Sequence, residues 1–310
     1  MSDAIRSGLA QLLGTSISTA TPQRIGGGCI DLQGCREWRC GRTQSPANEC
    51  YRYESSDGTV FVKVAPAPSL DMFEAEVAGL NELRNANAVR VPQVLAVGAV
   101  NDVALLALEW LELARSSSST DAKLGEQLAA QHRVTKPLFG FKRGNYIGAT
   151  PQINYWSRSW LHFWREHRLE AQLNLAETKG ADAQFIERAI LLCTLMDGML
   201  GSYTPIASLL HGDLWSDNAA VDASGEPVIY DPAVYYGDRE CDLAMTRLFG
   251  GFSQDFYAAY ESAWPLNDGW RPRTELYNLY HVLNHFNLFG GSYLAQAEAM
   301  VDGLLAQLGY

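Results

Sequence analysis

Positive charge is scarce in this sequence: 24 Lys and Arg stand against 35 Asp and Glu over 310 residues, a formal net charge of -11. A chain of that sign repels a phosphate backbone, and no local basic patch offsets it, so a nucleic-acid partner is not expected. A cationic amine or a magnesium-bound nucleotide fits the balance. Long apolar runs are missing too. Residues 97–108 form one of the longest, but it is broken by Asn101 and Asp102 and falls short of the roughly 18 residues that a bilayer crossing requires. Met1 to Leu13 mixes Asp3 and Arg6 with apolar residues at helical spacing and lacks the apolar core of a secretory signal. No membrane partner is expected, and the expected location is cytoplasmic. Cysteine is sparse, at six residues, which rules out a disulfide scaffold for a chain of this length. Cys29, Cys35, Cys40 and Cys50 cluster, but only Cys35 and Cys40 stand in a C-x4-C pairing and no second such pair accompanies them, so solvated or core thiols are expected rather than structural zinc.

What is present is the composition of a globular protein, 47% hydrophobic and 19% charged, and enough chain for two domains or one bilobal one. The first 110 or so residues are strand-rich. Thr59 to Val64 alternates, Val91 to Val97 follows Arg90 and contains Pro92, and Val103 to Trp110 is a third apolar run. Between them Leu70, Phe73, Val77, Leu80 and Leu83 recur every three or four residues, which predicts a helix with one apolar stripe. Ser116 to Ser119 marks a polar break, and helical patterns dominate beyond it at 123–132, 155–175, 183–200, 238–249, 256–263 and 274–289. One hairpin interrupts them, pairing Ala219 to Val221 with Val228 to Tyr230 around Ser224 and Gly225. The expected class is α+β and bilobal, with a small β-rich lobe over 1–112 and a larger, mainly helical one over 113–310.

The chemistry concentrates in Leu209 to Pro232, LLHGDLWSDNAAVDASGEPVIYDP. Phosphoryl transfer from ATP needs a carboxylate to accept or orient a hydroxyl proton and oxygen ligands that hold Mg2+ against the phosphates. Asp213 supplies the first, and Asn218 and the strand-end Asp231 the second, in the order and spacing of the kinase pattern. His-Gly-Asp alone would be a common turn. Followed by the Asn and the strand-then-Asp, it is specific. His211 reads as a hydrogen-bonding organiser of the loop and as a candidate substrate contact.

A kinase also needs a cation on the nucleotide phosphates, held by a helical carboxylate. Lys63 ends the strand Thr59-Val60-Phe61-Val62, and Glu76 lies on the following helix. Glu74 is the rival, but Glu76 is placed better relative to Leu80 and Leu83. Gly26, Gly27 and Gly28 follow Arg24 and Ile25 and suggest a loop whose amides can approach phosphates.

These residues resemble the fructosamine kinases, or ketosamine 3-kinases, within the aminoglycoside-phosphotransferase-like branch of the protein-kinase-like fold. The resemblance runs through GGGCI (26–30), FVKV (61–64), MFEAEVAGL (72–80), KLGEQLAAQH (123–132), NYIGATPQ (145–152), HRLEAQL (167–173), LLHGDLWSDN (209–218), IYDPAVYYGDRECDLAM (229–245) and LYHVLNHFNLFG (279–290). It implies an ATP-binding first lobe and a catalytic, substrate-binding second lobe. The implied reaction is ATP- and Mg2+-dependent phosphorylation of the 3-hydroxyl of a ketosamine, free or protein-bound, whose unstable product then frees the amine. Asp213 looks like the base, Asn218 and Asp231 like magnesium ligands, and Lys63 and Glu76 like the phosphate-binding ion pair. Glu109 and Leu111 fall where the hinge would meet adenine, and Trp215 where a wall for the sugar would stand.

The chain departs from the family pattern after GGGCI, where DLQGCREWRCGRTQSPANE intervenes before the next strand and implies a longer hairpin with an extruded or disordered tip. Cys29, beside the glycine loop, is a candidate oxidisable thiol there. Two other readings are open from the residues: an aminoglycoside- or choline-type kinase, which shares the aspartate, and a nucleotide-binding pseudokinase. HRLEAQL and LLHGDLWSDN lie outside the generic core and favour the ketosamine reading.

Overall fold

The computed structural model describes residues 2–25 and 48–310. Gly26, Gly27, Gly28, Cys29 and the long insertion as far as Ala47 fall outside the described residues.

After helix α1 (Ser2–Leu13), five antiparallel strands form one sheet in the order β1-β2-β3-β5-β4. They are β1 (Gln23–Ile25), β2 (Glu49–Ser55), β3 (Gly58–Pro66), β4 (Val94–Val100) and β5 (Val103–Glu109), with helix α2 (Leu70–Ala86) between β3 and β4. The two-residue alternation of β3 decides what each face does. Val60, Val62 and Val64 pack with Ile5 and Leu9 of α1. Phe61 and Ala65 pack with Phe73, Leu80 and Leu83 of α2. Lys63 shares their parity and therefore points toward α2. The strand expected from Val91 begins instead at Val94, because the chain around Pro92 is a connection: the Gln93 N–H bonds the Glu109 carboxylate, and Pro92 has no N–H to give a ladder.

The chain leaves the sheet at Glu109 and enters a mainly helical part through β6 (Leu113–Ala114), which pairs with β11 (Ala219–Asp222). The serine run does more than break a pattern. Ser117 caps α3 (Ser118–His132) in a reciprocal capping box with Thr120. Next come β7 (Thr135–Lys136), the hairpin β8 (Asn145–Ile147) and β9 (Thr150–Gln152), and α4 (Trp160–Trp164). Helix α4 starts five residues later than the periodicity suggests, capped by Ser159, and runs through a π-helical stretch at Arg165–Glu170 into α5 (Ala171–Thr178). Then follow α6 (Ala183–Leu195), α7 (Asp197–Leu200), β10 (Ala207–Leu210), β11, β12 (Pro227–Ile229) and β13 (Tyr235–Gly237). Helices α8 (Glu240–Leu248), α9 (Gln254–Ala263), α10 (Trp270–Phe289) and α11 (Tyr293–Gln307) complete the chain; the sequence pattern did not pick out α11. Among the described residues no helix is long and apolar enough to cross a membrane.

Three histidines, His132, His211 and His281, lie inside this helical part. Burial lowers the imidazoles of all three, that of His281 to about 3, with neighbouring His285 lowering it further. They are neutral in the fold. In the unfolded chain each takes up a proton near its ordinary value of 6.5, so stability is present above that value and is lost as pH falls through it toward the folded value. For His281 alone, acidification to pH 5 costs roughly 2 kcal/mol. Denaturant midpoints measured from pH 7 to 5 are expected to fall, and His281→Gln to flatten the slope; an unchanged slope in that variant would show that His281 does not titrate this way.

Candidate active site

Lys63 is 5% exposed, and its Nζ donates to Glu76 Oε1 at 2.8 Å and to Asp231 Oδ1 at 2.6 Å. Glu76 arrives on α2 because both residues lie on the facing sides of strand and helix, whereas Glu74 is exposed to solvent. Asp231 comes from 168 residues away in sequence. Burial alone would lower the Lys63 ammonium, but the charges and hydrogen bonds of Asp231 and Glu76 raise it above its ordinary range, so it remains a cation. Asp231 itself follows β12 with φ of 56°, a left-handed backbone that a non-glycine residue adopts at a cost.

The loop carrying Asp213 is held from beneath. Asp242 of α8 accepts the backbone N–H of His211 and of Gly212, each at 2.8 Å, and bonds the His132 ring at 3.1 Å. Burial would raise this carboxyl, but the His132 hydrogen bond and the backbone donors hold it below its usual range. Gly212 has φ of 84°, and a Cβ there would clash with the Ala233 carbonyl oxygen; only glycine fits. The loop is also stitched to the Asp231 segment, since the Ala233 N–H donates to the His211 carbonyl at 2.9 Å and the Tyr230 N–H to the Asn218 carbonyl at 3.1 Å. Asp213 and Asp231 thereby share one cleft. Asp213 is half-buried, and burial together with the charges of Asp231 and Asp242 pushes its carboxyl up to about 7. Asn218 donates its amide to the Asp213 carbonyl at 2.8 Å and reaches the carboxylate at 3.5 Å.

His211 corrects one expectation. It is fully buried, its Nε2 donates to the Tyr230 carbonyl at 2.9 Å, and its Nδ1 accepts the Asp213 N–H at 3.3 Å. Both ring nitrogens are committed inside the protein, so the imidazole organises the loop and presents no face to a substrate. Trp215 stands partly exposed beside Asp213, edge-on to Phe249 at 5.9 Å. At the crossing between sheet and helices, the Glu109 carboxylate accepts the Gln93 N–H at 2.8 Å and Arg90 at 3.4 Å. Leu111 packs with Ala220, Val228 and Tyr230. Both side chains are engaged within the protein, and the Glu109 N–H is given to the Gln93 carbonyl at 2.9 Å. The sequence alone does not single out Asp242 or His132 as supports of this loop, although both lie in segments that resemble the family; nothing in a sequence distinguishes a carboxylate that captures backbone amides from one that caps a helix.

The donors around the cleft suit magnesium with a nucleotide. Asp231 and Asn218 offer hard oxygen ligands, and among the described residues no group of three His, Cys, Asp or Glu forms a metal cage by itself. Mg2+ is commonly held by one or two protein oxygens and completed by phosphates and water. Lys63 between its two carboxylates is the cation such phosphates would meet.

The fructosamine kinase family model matches residues 1–307. A probable ketoamine kinase of Synechocystis is 40% identical over 298 residues, covering 96% of this chain and 94% of that one. The chloroplastic protein-ribulosamine 3-kinase of Arabidopsis thaliana is 37% identical over 92% of this chain and 82% of its own. A crystal structure from Haemophilus somnus 129PT, named for a fructosamine-3-kinase, superposes with a TM-score of 0.85 at 27% identity over 98% of both chains. A choline kinase of Streptococcus pneumoniae shares the protein-kinase-like fold at a TM-score of 0.62 and 14% identity over 99% of both chains, a likeness of fold alone. With its whole length matched by one family and its cleft built from that pattern, the chain belongs to the fructosamine kinase family, phosphotransferases that act on a hydroxyl group.

Proposed function

We propose that the protein phosphorylates the 3-hydroxyl of a ketosamine, a fructosamine or ribulosamine on a free amine or a protein lysine, with ATP and Mg2+, as a deglycation repair enzyme. The observation that carries this reading is the convergence of Asp213, Asn218, Asp231, Lys63 and Glu76 on one cleft in a chain of this family. Residues 1–112 form the nucleotide lobe and 113–310 the catalytic lobe. The proposed compartment is the cytoplasm: Cys50, Cys193 and Cys241, the described cysteines, are buried free thiols, as a reducing compartment keeps them.

Asp213 orients the sugar hydroxyl and accepts its proton. A carboxyl pushed up to about 7 by burial and neighbouring charge is a better proton acceptor than an exposed aspartate and can release that proton again at neutral pH. Trp215 gives the sugar a flat apolar wall, and Lys63, steadied by Glu76, draws the phosphate tail. Asn218 and Asp231 would hold Mg2+, which when bound neutralises charge on the phosphoryl group. Glu109 and Leu111 fall where the hinge would meet adenine, and Gly26, Gly27 and Gly28 lie where the sequence puts the phosphate loop.

Incubation with MgATP and fructosyl-lysine or ribulosyl-lysine should yield ADP and the amine-linked ketose 3-phosphate. Consumption of an aminoglycoside or choline in their place would overturn the substrate proposal, and nucleotide binding without any turnover would favour a pseudokinase. Asp213→Asn is expected to lower kcat by about 10²-fold or more while ATP still binds; unchanged turnover removes Asp213 from the mechanism. Lys63→Met should weaken MgATP by at least about tenfold, the scale of one lost charge-assisted hydrogen bond, and wild-type affinity in that variant would mean that Lys63 does not touch the phosphates.

A further inference from the structure

Helix α2 is fastened to the catalytic part of the chain at both ends. At its start, Asp71 pairs with Arg143 at 2.6 Å and accepts the Tyr146 hydroxyl at 2.8 Å. Three turns later, Glu82 pairs with Lys142 at 3.0 Å and accepts the Tyr236 hydroxyl at 2.8 Å. Between them a Cβ on Gly79 would come within 3.1 Å of Val234 and 3.5 Å of Pro232. Asp71, Ala75, Gly79 and Glu82 succeed one another at helical spacing, so one face of α2, about 16 Å long, lies along the 142–146 and 232–236 segments. Glu76 sits inside that span.

The opposing jaw is rigid. Asn145 donates to the Val234 carbonyl at 2.8 Å, and Gln152 to the Ala233 carbonyl at 3.1 Å. The Asn145 side-chain oxygen accepts from Gln152 at 2.8 Å and from Asn154 at 2.7 Å, and the Tyr280 hydroxyl donates to Gln152 at 2.7 Å. All four of these side chains are buried. Ala233 and Val234 follow Asp231 almost directly, and Asp231 returns to Lys63. The contacts close into a ring: Lys63, Glu76, the α2 helix, Asp71, Arg143, Asn145, Val234, Asp231 and Lys63 again.

We propose that Lys142, Arg143, Tyr146 and Tyr236 are positioning residues for ATP binding, which hold α2 and its Glu76 against the catalytic part so that Lys63 is aimed before any nucleotide arrives. The proposal rests on the kinase reading of the cleft. Each exposed ion pair by itself is worth less than about a factor of five, so the two ends have to be released together.

The test uses the full-length protein and three readouts: MgATP affinity by calorimetry, KM for ATP against KM for the ketosamine, and thermal midpoint. Arg143→Ala with Tyr146→Phe, and Lys142→Met with Tyr236→Phe, are each expected to weaken MgATP about fivefold, and all four together about 20-fold. KM for the ketosamine should stay within about twofold, and Arg143→Lys alone should bind MgATP like the wild type. Gly79→Val, a wedge under the same face, should reproduce the loss. If the fourfold variant does not fold, the two double variants and the wedge carry the test. Wild-type ATP affinity in folded double variants overturns the proposal. So does a rise in both KM values that tracks the fall in thermal midpoint, since that is loss of structure alone. Wild-type protein that binds MgATP but ignores ketosamines would sink the substrate assignment and leave this proposal standing.

Discussion

A single buried ammonium, that of Lys63, joins a strand, a helix and a loop at one point. Removing one partner of such a buried pair costs about 3–5 kcal/mol, because the remaining charge is left in a medium that solvates it poorly. The geometry is therefore self-enforcing: β3 can present Lys63 inward only if α2 brings Glu76 and the 231 loop brings Asp231. Sheet and helical parts are tied across the cleft by the same charge that the proposed chemistry would use.

Asp242 does for the catalytic loop what Lys63 does for the cleft. Two successive backbone N–H groups converge on one carboxylate, which fixes the peptide planes on either side of the His211 to Gly212 step and leaves Asp213 little freedom in where it projects. The buried imidazole of His132 and the Tyr260 hydroxyl, 2.8 Å from its Nδ1, extend that support into α9. Two left-handed residues, Gly212 and Asp231, lie on either side of the stitched segments. For Asp231 that conformation is unfavourable, and the surrounding bonds are what hold it.

Much of this was legible because it is local. The order of Asp213, Asn218 and Asp231 survives in a linear string, and the three-to-four spacing from Leu70 to Leu83 places Glu76 on the inner face of α2 without any knowledge of the sheet. The alternation of β3 fixes the side on which Lys63 lies. What was not legible depends on distant partners. Asp242 is one acidic residue among 35 Asp and Glu until the fold sets it beneath two amides. Asn145 and Gln152 look like loop residues until their amides are buried against the 233–234 carbonyls. His211 stands two residues before Asp213, the proposed base, and yet faces away from the cleft, because the Tyr230 carbonyl claims its ring. The short strands β10 and β13 carry too few residues for periodicity to declare them.

The charge distribution also says which form of nucleotide the cleft can take. Asp213 and Asp231 face it, Lys63 is the cation that Asp231 shares with Glu76, and Asp242 lies just beneath. A bare polyphosphate would bring further negative charge to a place where carboxylates already raise one another, as the upward push on Asp213 shows. On the proposed function, a nucleotide that arrives with a divalent cation would reverse the sign of the encounter, because the carboxylates that repel the phosphates would then face the metal. The acidic excess of the whole chain, unhelpful for binding an anion, is compatible with a substrate whose glycated nitrogen is basic and carries a positive charge. The same surplus of carboxylates thus serves both substrates, provided that Lys63 is kept in place by α2 and is not left to pair with whichever acid is nearest.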